Sequence, residues 1–175
     1  MKKKTYFVAG SYGVGKSSIC IKISVKLNLP YYSAGDIISG VNNEDYIKEK
    51  FVSDKEMNQT ILENAVNRIL SKQDTIILAG HFCIFNKYGD VEKLPEHVYS
   101  NLHLSKIILL DSDTDIIINN LIKRDNKKYT YDSIVKLQKL EKEQAYKISN
   151  DLNVPLYIHS MKYDESDLVK IAKII

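Results

Sequence analysis

Arginine is scarce in this chain. Only two, Arg68 and Arg124, occur among its 25 basic residues. A guanidinium fork grips two phosphate or carboxylate oxygens at once, whereas lysine offers a single point of charge. A site built on several arginine clamps is therefore excluded. Cysteine is as rare. Cys20 and Cys83 make no disulfide framework and fit a reducing cytosol, so a cytoplasmic protein is expected. Cys20 falls in a helical pattern and reads as a small core residue. No apolar run is long enough to span a bilayer. Met1-Lys2-Lys3-Lys4 mimics the start of an export signal, but the apolar run behind it stops at Gly10, too short for a signal core. A net charge of +3 is too small to imply a nucleic acid or a membrane surface. Internal repeats, low-complexity tracts and linkers are missing too. What remains is a chain of 175 residues, 44% hydrophobic and 27% charged, which suffices for one globular domain with a full core.

Against these absences stands one specific motif. Gly10-Ser11-Tyr12-Gly13-Val14-Gly15-Lys16-Ser17 fits the phosphate-loop pattern G-x-x-x-x-G-K-[ST] without a mismatch. Thr5–Ala9 ahead of it reads as a short buried strand. Ser18 and the residues after it begin a helix with Ile19, Ile23 and Leu27 on one face. The glycines let backbone N–H groups turn around an anion, and the following helix points its positive end at the same place. Gly10 through Ser18 are therefore expected to bind ATP. Lys16 would reach the β- and γ-phosphates, and the Ser17 hydroxyl would ligate Mg²⁺.

Strand and helix patterns alternate along the rest of the chain. Leu29–Tyr32, Thr75–Ala79, Ile107–Leu110 and Val154–Ile158 read as further strands. Helices are expected from about Ile37, after an Asp54 N-cap, after Pro95, from Ser112–Asp115 to Arg124, over 132–152 and over 166–174. Residues 80–96 read as a long loop, a length that marks function. Five strands with intervening helices predict a parallel α/β sandwich with right-handed crossovers.

With the phosphate loop placed, the remaining motifs resemble the adenylate kinases within the P-loop nucleotide kinases. Ser33-Ala34-Gly35-Asp36-Ile37-Ile38-Ser39 looks like the S-T-G-D-x-x-R segment that opens their monophosphate site. Ile77–His81, Leu94–Val98 and Lys106–Asp111 are similar to segments of the archaeal and nuclear-type enzymes. Arg124-Asp125 and Gln138 resemble their lid arm and the helix after it. The resemblance implies a three-layer P-loop NTPase fold with sheet order 2-3-1-4-5. It also implies an acceptor-binding helical insertion at 34–72 and a short lid at 125–130. Two positions depart from the pattern: Ser39 stands at the acceptor-gripping arginine and Ala79 at the strand aspartate near Mg²⁺.

Four residues are the catalytic candidates: Lys16, Asp36, His81 and Arg124. Asp36 follows the second strand and would hold Mg²⁺-bound water beside Ser17, or take the proton of an alcohol acceptor. A helix cap is its structural alternative. His81 would address the acceptor. Arg124 would steady charge on the transferring phosphoryl group and so also belongs to the ATP site. Asp111 is a second metal candidate, and Gln138 a candidate for orienting phosphate or lid. Lys123, Lys127 and Lys128 extend the charge around Arg124, while Arg68 reads as surface. The function these residues predict is transfer of the ATP γ-phosphate to a nucleotide or nucleoside-like small molecule. The alternative is an ATP-binding switch with weak ATPase activity that acts through a protein partner. Phosphorylation of polynucleotide ends lacks the continuous basic stripe it needs.

Overall fold

The computed structural model describes residues 3–42, 55–86, 88–125 and 129–175. Its centre is β1 (Lys4–Gly10), whose side chains alternate between two separate cores. Phe7 and Ala9 face one core, and Val8 faces the other. The chain then runs through α1 (Lys16–Leu27), β2 (Tyr31–Ser33), α2 (Ala34–Asn42), α3 (Lys55–Lys72) and β3 (Thr75–Ala79). It continues through β4 (Cys83–Phe85), β5 (Val91–Lys93), α4 (His97–Ser100), β6 (Leu104–Asp111) and α5 (Thr114–Asp125). The last elements are α6 (Tyr131–Leu152), β7 (Leu156–Ser160) and α7 (Glu165–Ile174).

Five strands form one parallel sheet in the order β2-β3-β1-β6-β7. Counted along this sheet alone, that is the expected 2-3-1-4-5. Its strands are short and apolar because helices cover both faces. On one face α3, α4 and α6 bring Leu62, Val66, Val98, Leu137 and Ile148 onto Phe7, Ile76 and Leu78. On the other, α1, α5 and α7 bring Ile19, Ile23, Ile117, Leu121 and Ile171 onto Val8, Ile77 and Ile108. Fully burying one such aliphatic side chain is worth about 1.5–3 kcal/mol, so each face is held by many comparable terms.

The register sets up the site. Val8 pairs with Ala79, and Gly10 with Leu110. The carboxyl ends of β1, β3 and β6 therefore open on the same edge, where ligands of α/β sheets bind.

Three expectations change. Residues 80–96 are not a plain loop, because β4 and β5 pair antiparallel as a two-stranded ribbon. Each strand has only three residues, too few for a readable alternation. The second helix starts at Ala34 rather than near Ile37, because the Ser33 hydroxyl, not Asp36, accepts the backbone N–H of the first turn. The last strand begins at Leu156, two residues later than expected, since α6 closes through Asn153 in the left-handed conformation. The expected cap Asp54, residues 43–54 of the 34–72 insertion, and residues 126–128 of the 125–130 lid, with Lys127 and Lys128, lie outside the described residues. Among the described residues no helix is long and apolar enough to cross a membrane.

Candidate functional site

The turn from β1 into α1 is built around glycine. Gly13 has φ +78°, and a Cβ there would sit 2.8 Å from Leu121 Cγ and 2.9 Å from the Ile117 carbonyl. Helix α5 thus packs hard against the loop, and Asn120 Nδ2 donates to the Gly13 carbonyl at 2.9 Å. Gly10, at φ +145°, approaches the Leu110 carbonyl so closely that a Cβ would meet it at 2.6 Å. Lys16 Nζ donates to the carbonyls of Gly10 at 2.7 Å and Ser11 at 2.9 Å. Both acceptors belong to the loop, so the ammonium sits at the mouth of the anion cradle. Burial lowers its pKa to about 8, with Arg124 adding to the effect and Glu141 and Cys20 opposing it.

Glu141 was not among the sequence candidates. It is 1% exposed and lies on α6 over the edge where β1 and β3 end. Its carboxylate accepts the N–H groups of Gly10 at 3.2 Å, Phe82 at 3.0 Å and Cys83 at 2.7 Å. One side chain therefore joins the phosphate loop to the chain after β3. Burial raises its pKa to about 7, against the lowering effect of those N–H groups and of Lys16. Its segment, Lys139–Glu143, reads as a solvated charged face. The one available signal is position: Glu141 shares a stripe with Ile134, Leu137, Ala145 and Ile148, all buried.

His81 follows β3 and lines the cavity. Its ring packs on Tyr12 at 4.2 Å between centroids. Tyr12 in turn stacks on Phe85 at 5.8 Å, and Phe85 meets Tyr129 at 6.2 Å. Burial, with the charges of Lys16 and Arg124, holds the imidazole pKa well below its ordinary value. His81 is therefore neutral at physiological pH. Burial pushes the Tyr12 hydroxyl up to about 12, keeping it protonated.

Asp36 is exposed in the first turn of α2, one residue beyond Gly35, and Gly35 lines the central cavity while Asp36 does not. Because Ser33 opens the helix, Asp36 turns outward. Its charge and the Ser17 hydroxyl both act on the Tyr31 phenol, whose pKa burial raises and the Ser17 bond lowers. Arg124 is exposed in the last turn of α5 and lines the cavity.

Two other sequence candidates are occupied structurally. Asp111 Oδ1 accepts from the Ser112 N–H and from Gln138 Nε2, both at 3.0 Å. Gln138 also donates to the Ser112 carbonyl at 2.8 Å and accepts from Thr114 Oγ1 at 2.8 Å. Together they fasten α6 to the start of α5, and neither lines the cavity. Arg68 is exposed, as expected.

A second cluster that sequence reading missed is the turn from β7 to α7. Asp167, 1% exposed, accepts from His159 Nε2 at 2.7 Å, the Lys162 N–H at 3.0 Å and the Tyr163 N–H at 2.6 Å. Burial raises its pKa, but these three donors outweigh burial and hold the carboxyl below its ordinary value. The turn sets Met161 and Tyr163 beside Gly15, 3.7 and 3.6 Å from where its Cβ would lie.

These pieces surround a cavity of about 720 Å³. At one end are Gly13, Gly15, Lys16, Ser17, Arg124 and Tyr163. The other end runs beneath α3 and α4, past His81 to Leu62, Val98 and Tyr99. Among the described residues, no three His, Cys, Asp or Glu side chains form a metal cage. The residues present fit a Mg²⁺ that arrives on nucleotide phosphates and takes one ligand from Ser17, a common mode for this ion.

The AAA domain family matches residues 9–138. No curated protein matches the chain. Among solved structures, a gluconokinase from Sinorhizobium meliloti is 10% identical with a TM-score of 0.57, over 98% of this chain and 91% of its own. A shikimate kinase from Bacteroides thetaiotaomicron is 13% identical with a TM-score of 0.57, over 98% and 97%. A sugar kinase from Janibacter sp. is 12% identical with a TM-score of 0.56, over 99% and 94%. At these identities the likeness is one of fold. The phosphate loop, the sheet order and a match across about three quarters of its length agree: this chain belongs to the AAA domain family and has the fold of the small P-loop kinases.

Proposed function

We propose that this protein is a cytoplasmic P-loop kinase, adenylate-kinase-like in plan. It would transfer the γ-phosphate of ATP to a nucleotide or nucleoside-like small molecule. The observation that carries the reading is the shape of the cavity. One continuous space joins the phosphate loop to a second chamber under α3 and α4. A domain that only hydrolysed ATP has no need of such a chamber.

In this reading, the backbone of Gly10 to Ser18 wraps the phosphates, and Lys16 exchanges its two carbonyl bonds for phosphate oxygens. Arg124 adds charge where it develops during transfer. Tyr163 and Met161 flank the nucleotide beside Gly15. Ser17 would hold Mg²⁺, which neutralises phosphate charge when bound. Asp36 lies outside the cavity wall beside Gly35, so a part in holding metal-bound water or taking the acceptor's proton requires its carboxylate to turn inward. Neutral His81 stands between the two chambers and orients the acceptor. Residues 34–72 act as the acceptor-binding insertion and 125–130 as the lid, all within one domain.

The test is acceptor-dependent formation of ADP by the pure protein, across nucleoside monophosphates, nucleosides and small alcohols. Kinase action gives ADP and phosphorylated acceptor in equal amounts. ADP production that no acceptor accelerates would count against it. One observation favours the switch reading instead: Ala79, in the cavity wall at the end of β3, offers no carboxylate to the metal. That reading requires a protein partner that binds in ATP and not in ADP, and co-purification under the two conditions tests it.

A further inference from the structure

The two ends of the cavity differ in charge. Its cations, Lys16, Lys22 and Arg124, all come from the phosphate loop, α1 and α5. The far chamber is made of Phe7, Ile38, Leu62, Leu94, Val98 and Leu102. Among the described residues, that chamber has no Lys, Arg, Asp or Glu in its wall. Tyr99 contributes a ring rather than a free hydroxyl, because its O–H already donates to the His81 carbonyl at 2.7 Å. His81 is neutral, for the reasons given above.

Composition limits an arginine fork for an anion to two residues. Arg124 belongs to the phosphate-loop end, and Arg68 is exposed on α3 and does not line the cavity. Residues 43–54 contain no arginine, and their four acidic residues outnumber their two lysines. A phosphate or carboxylate on the acceptor would thus enter an apolar chamber without a fork to receive it, which strongly disfavours it.

Two neighbouring amides on α3, Asn58 and Gln59, break the apolar wall, and Asn58 already has an interaction of its own. Gln59 is 5% exposed, lines the cavity beside Leu62, and makes no side-chain hydrogen bond among the described residues. Its amide is not among the sealed polar atoms that lack a partner, so it stays open to a partner in the cavity, and polar groups in such walls are ordinarily hydrogen-bonded. An amide presents one acceptor oxygen and two donor hydrogens, which suits a neutral polar edge.

We infer that the acceptor is an uncharged alcohol carrying an apolar ring, with Gln59 as its polar anchor. Acceptors bearing phosphate or carboxylate are then rejected. The inference rests on the kinase reading for the reaction. In that reaction the acceptor hydroxyl oxygen bonds to the γ-phosphorus as the bond from that phosphorus to the β,γ-bridging oxygen breaks. ADP leaves with the electron pair, and the hydroxyl proton passes to water.

The experiment measures binding in the presence of Mg-ADP by calorimetry and thermal shift. The probes are nucleosides and aryl alcohols, set against nucleoside 5′-monophosphates and gluconate. At least one neutral probe is expected to bind ten-fold or more tightly than every charged one. Gln59→Met, which keeps the volume and removes the amide, is expected to weaken that probe about ten-fold. Gln59→Arg is expected to narrow the gap to the monophosphates. The inference is overturned if a charged probe binds as well, if no neutral probe binds, or if a folded Gln59→Met binds the neutral probe normally. Binding and turnover separate the two claims. Transfer to monophosphates leaves the kinase reading standing and removes this one. Binding of a neutral ring alcohol without transfer does the reverse.

Discussion

Glu141 accepts a hydrogen bond from the backbone of Gly10 across 131 residues of sequence. The same carboxylate holds Phe82 and Cys83, so the phosphate loop and the chain after β3 hang from one buried group. Replacing it by Leu leaves three buried N–H groups unpaired. At about 1–3 kcal/mol for each, a loss of roughly 3 kcal/mol or more is expected. For a domain of this size that lowers the melting temperature by roughly 6–12 °C, which a thermal scan followed by circular dichroism will show. Nucleotide affinity is expected to fall with it, because Gly10 opens the phosphate loop.

Lys16 gives a pH dependence whose sign is fixed. Burial lowers its pKa to about 8 in the free protein, and contact with phosphate raises it again. Above pH 8 the free protein has lost the proton that binding requires. Mg-ATP affinity should therefore be flat below about pH 7 and weaken above 8, approaching about ten-fold per pH unit. Calorimetry from pH 6.5 to 9.5 measures this. Lys16→Met removes the slope and lowers affinity by roughly 10- to 100-fold, the value of charge-assisted hydrogen bonds.

His81 should not titrate in the physiological range. Burial and two neighbouring cations keep its imidazole neutral. Its ring resonances in an NMR titration should stay constant from pH 6 to 8, and the rate of transfer should show no inflection from this group. A midpoint near 6.5 would mean the ring is solvated and does not pack on Tyr12.

Gly13 tests how α5 braces the loop. In Gly13→Ala the new Cβ meets Leu121 and Ile117 at a φ that L-residues rarely adopt. A cost of about 1–3 kcal/mol in urea unfolding is expected. ATP affinity should fall as well, since relief requires the loop or α5 to move.

Asp167→Ala separates the β7–α7 turn from the rest of the site. It frees the N–H groups of Lys162 and Tyr163, in the turn that sets the side chains of Met161 and Tyr163 beside Gly15. Nucleotide affinity should fall several-fold, while binding in the far chamber is unchanged. Titrating each ligand against the variant reads the two effects apart.

Much of the molecule is legible in the order of its residues. The phosphate loop can be read because its chemistry is local: eight consecutive positions supply the turn, the ammonium and the hydroxyl. The sheet can be read because buried parallel strands are continuous apolar runs and right-handed crossovers leave few topologies. His81 and Arg124 can be read because strand ends and helix ends fall at the carboxyl edge of the sheet.

Other features came only from the tertiary structure, for one physical reason. They are decided by burial and by contacts between segments far apart in the chain. Glu141 looks like one of many charges on a helix until α6 lies across β1 and β3. Asp36 looks like the cap of α2 until Ser33 takes that place. Gln59 looks like a surface amide until α3 closes over an apolar chamber. Local spacing thus determined the phosphate loop and the strand and helix that flank it. Only packing decided which carboxylate holds the loops together and which side of the cavity is left without charge.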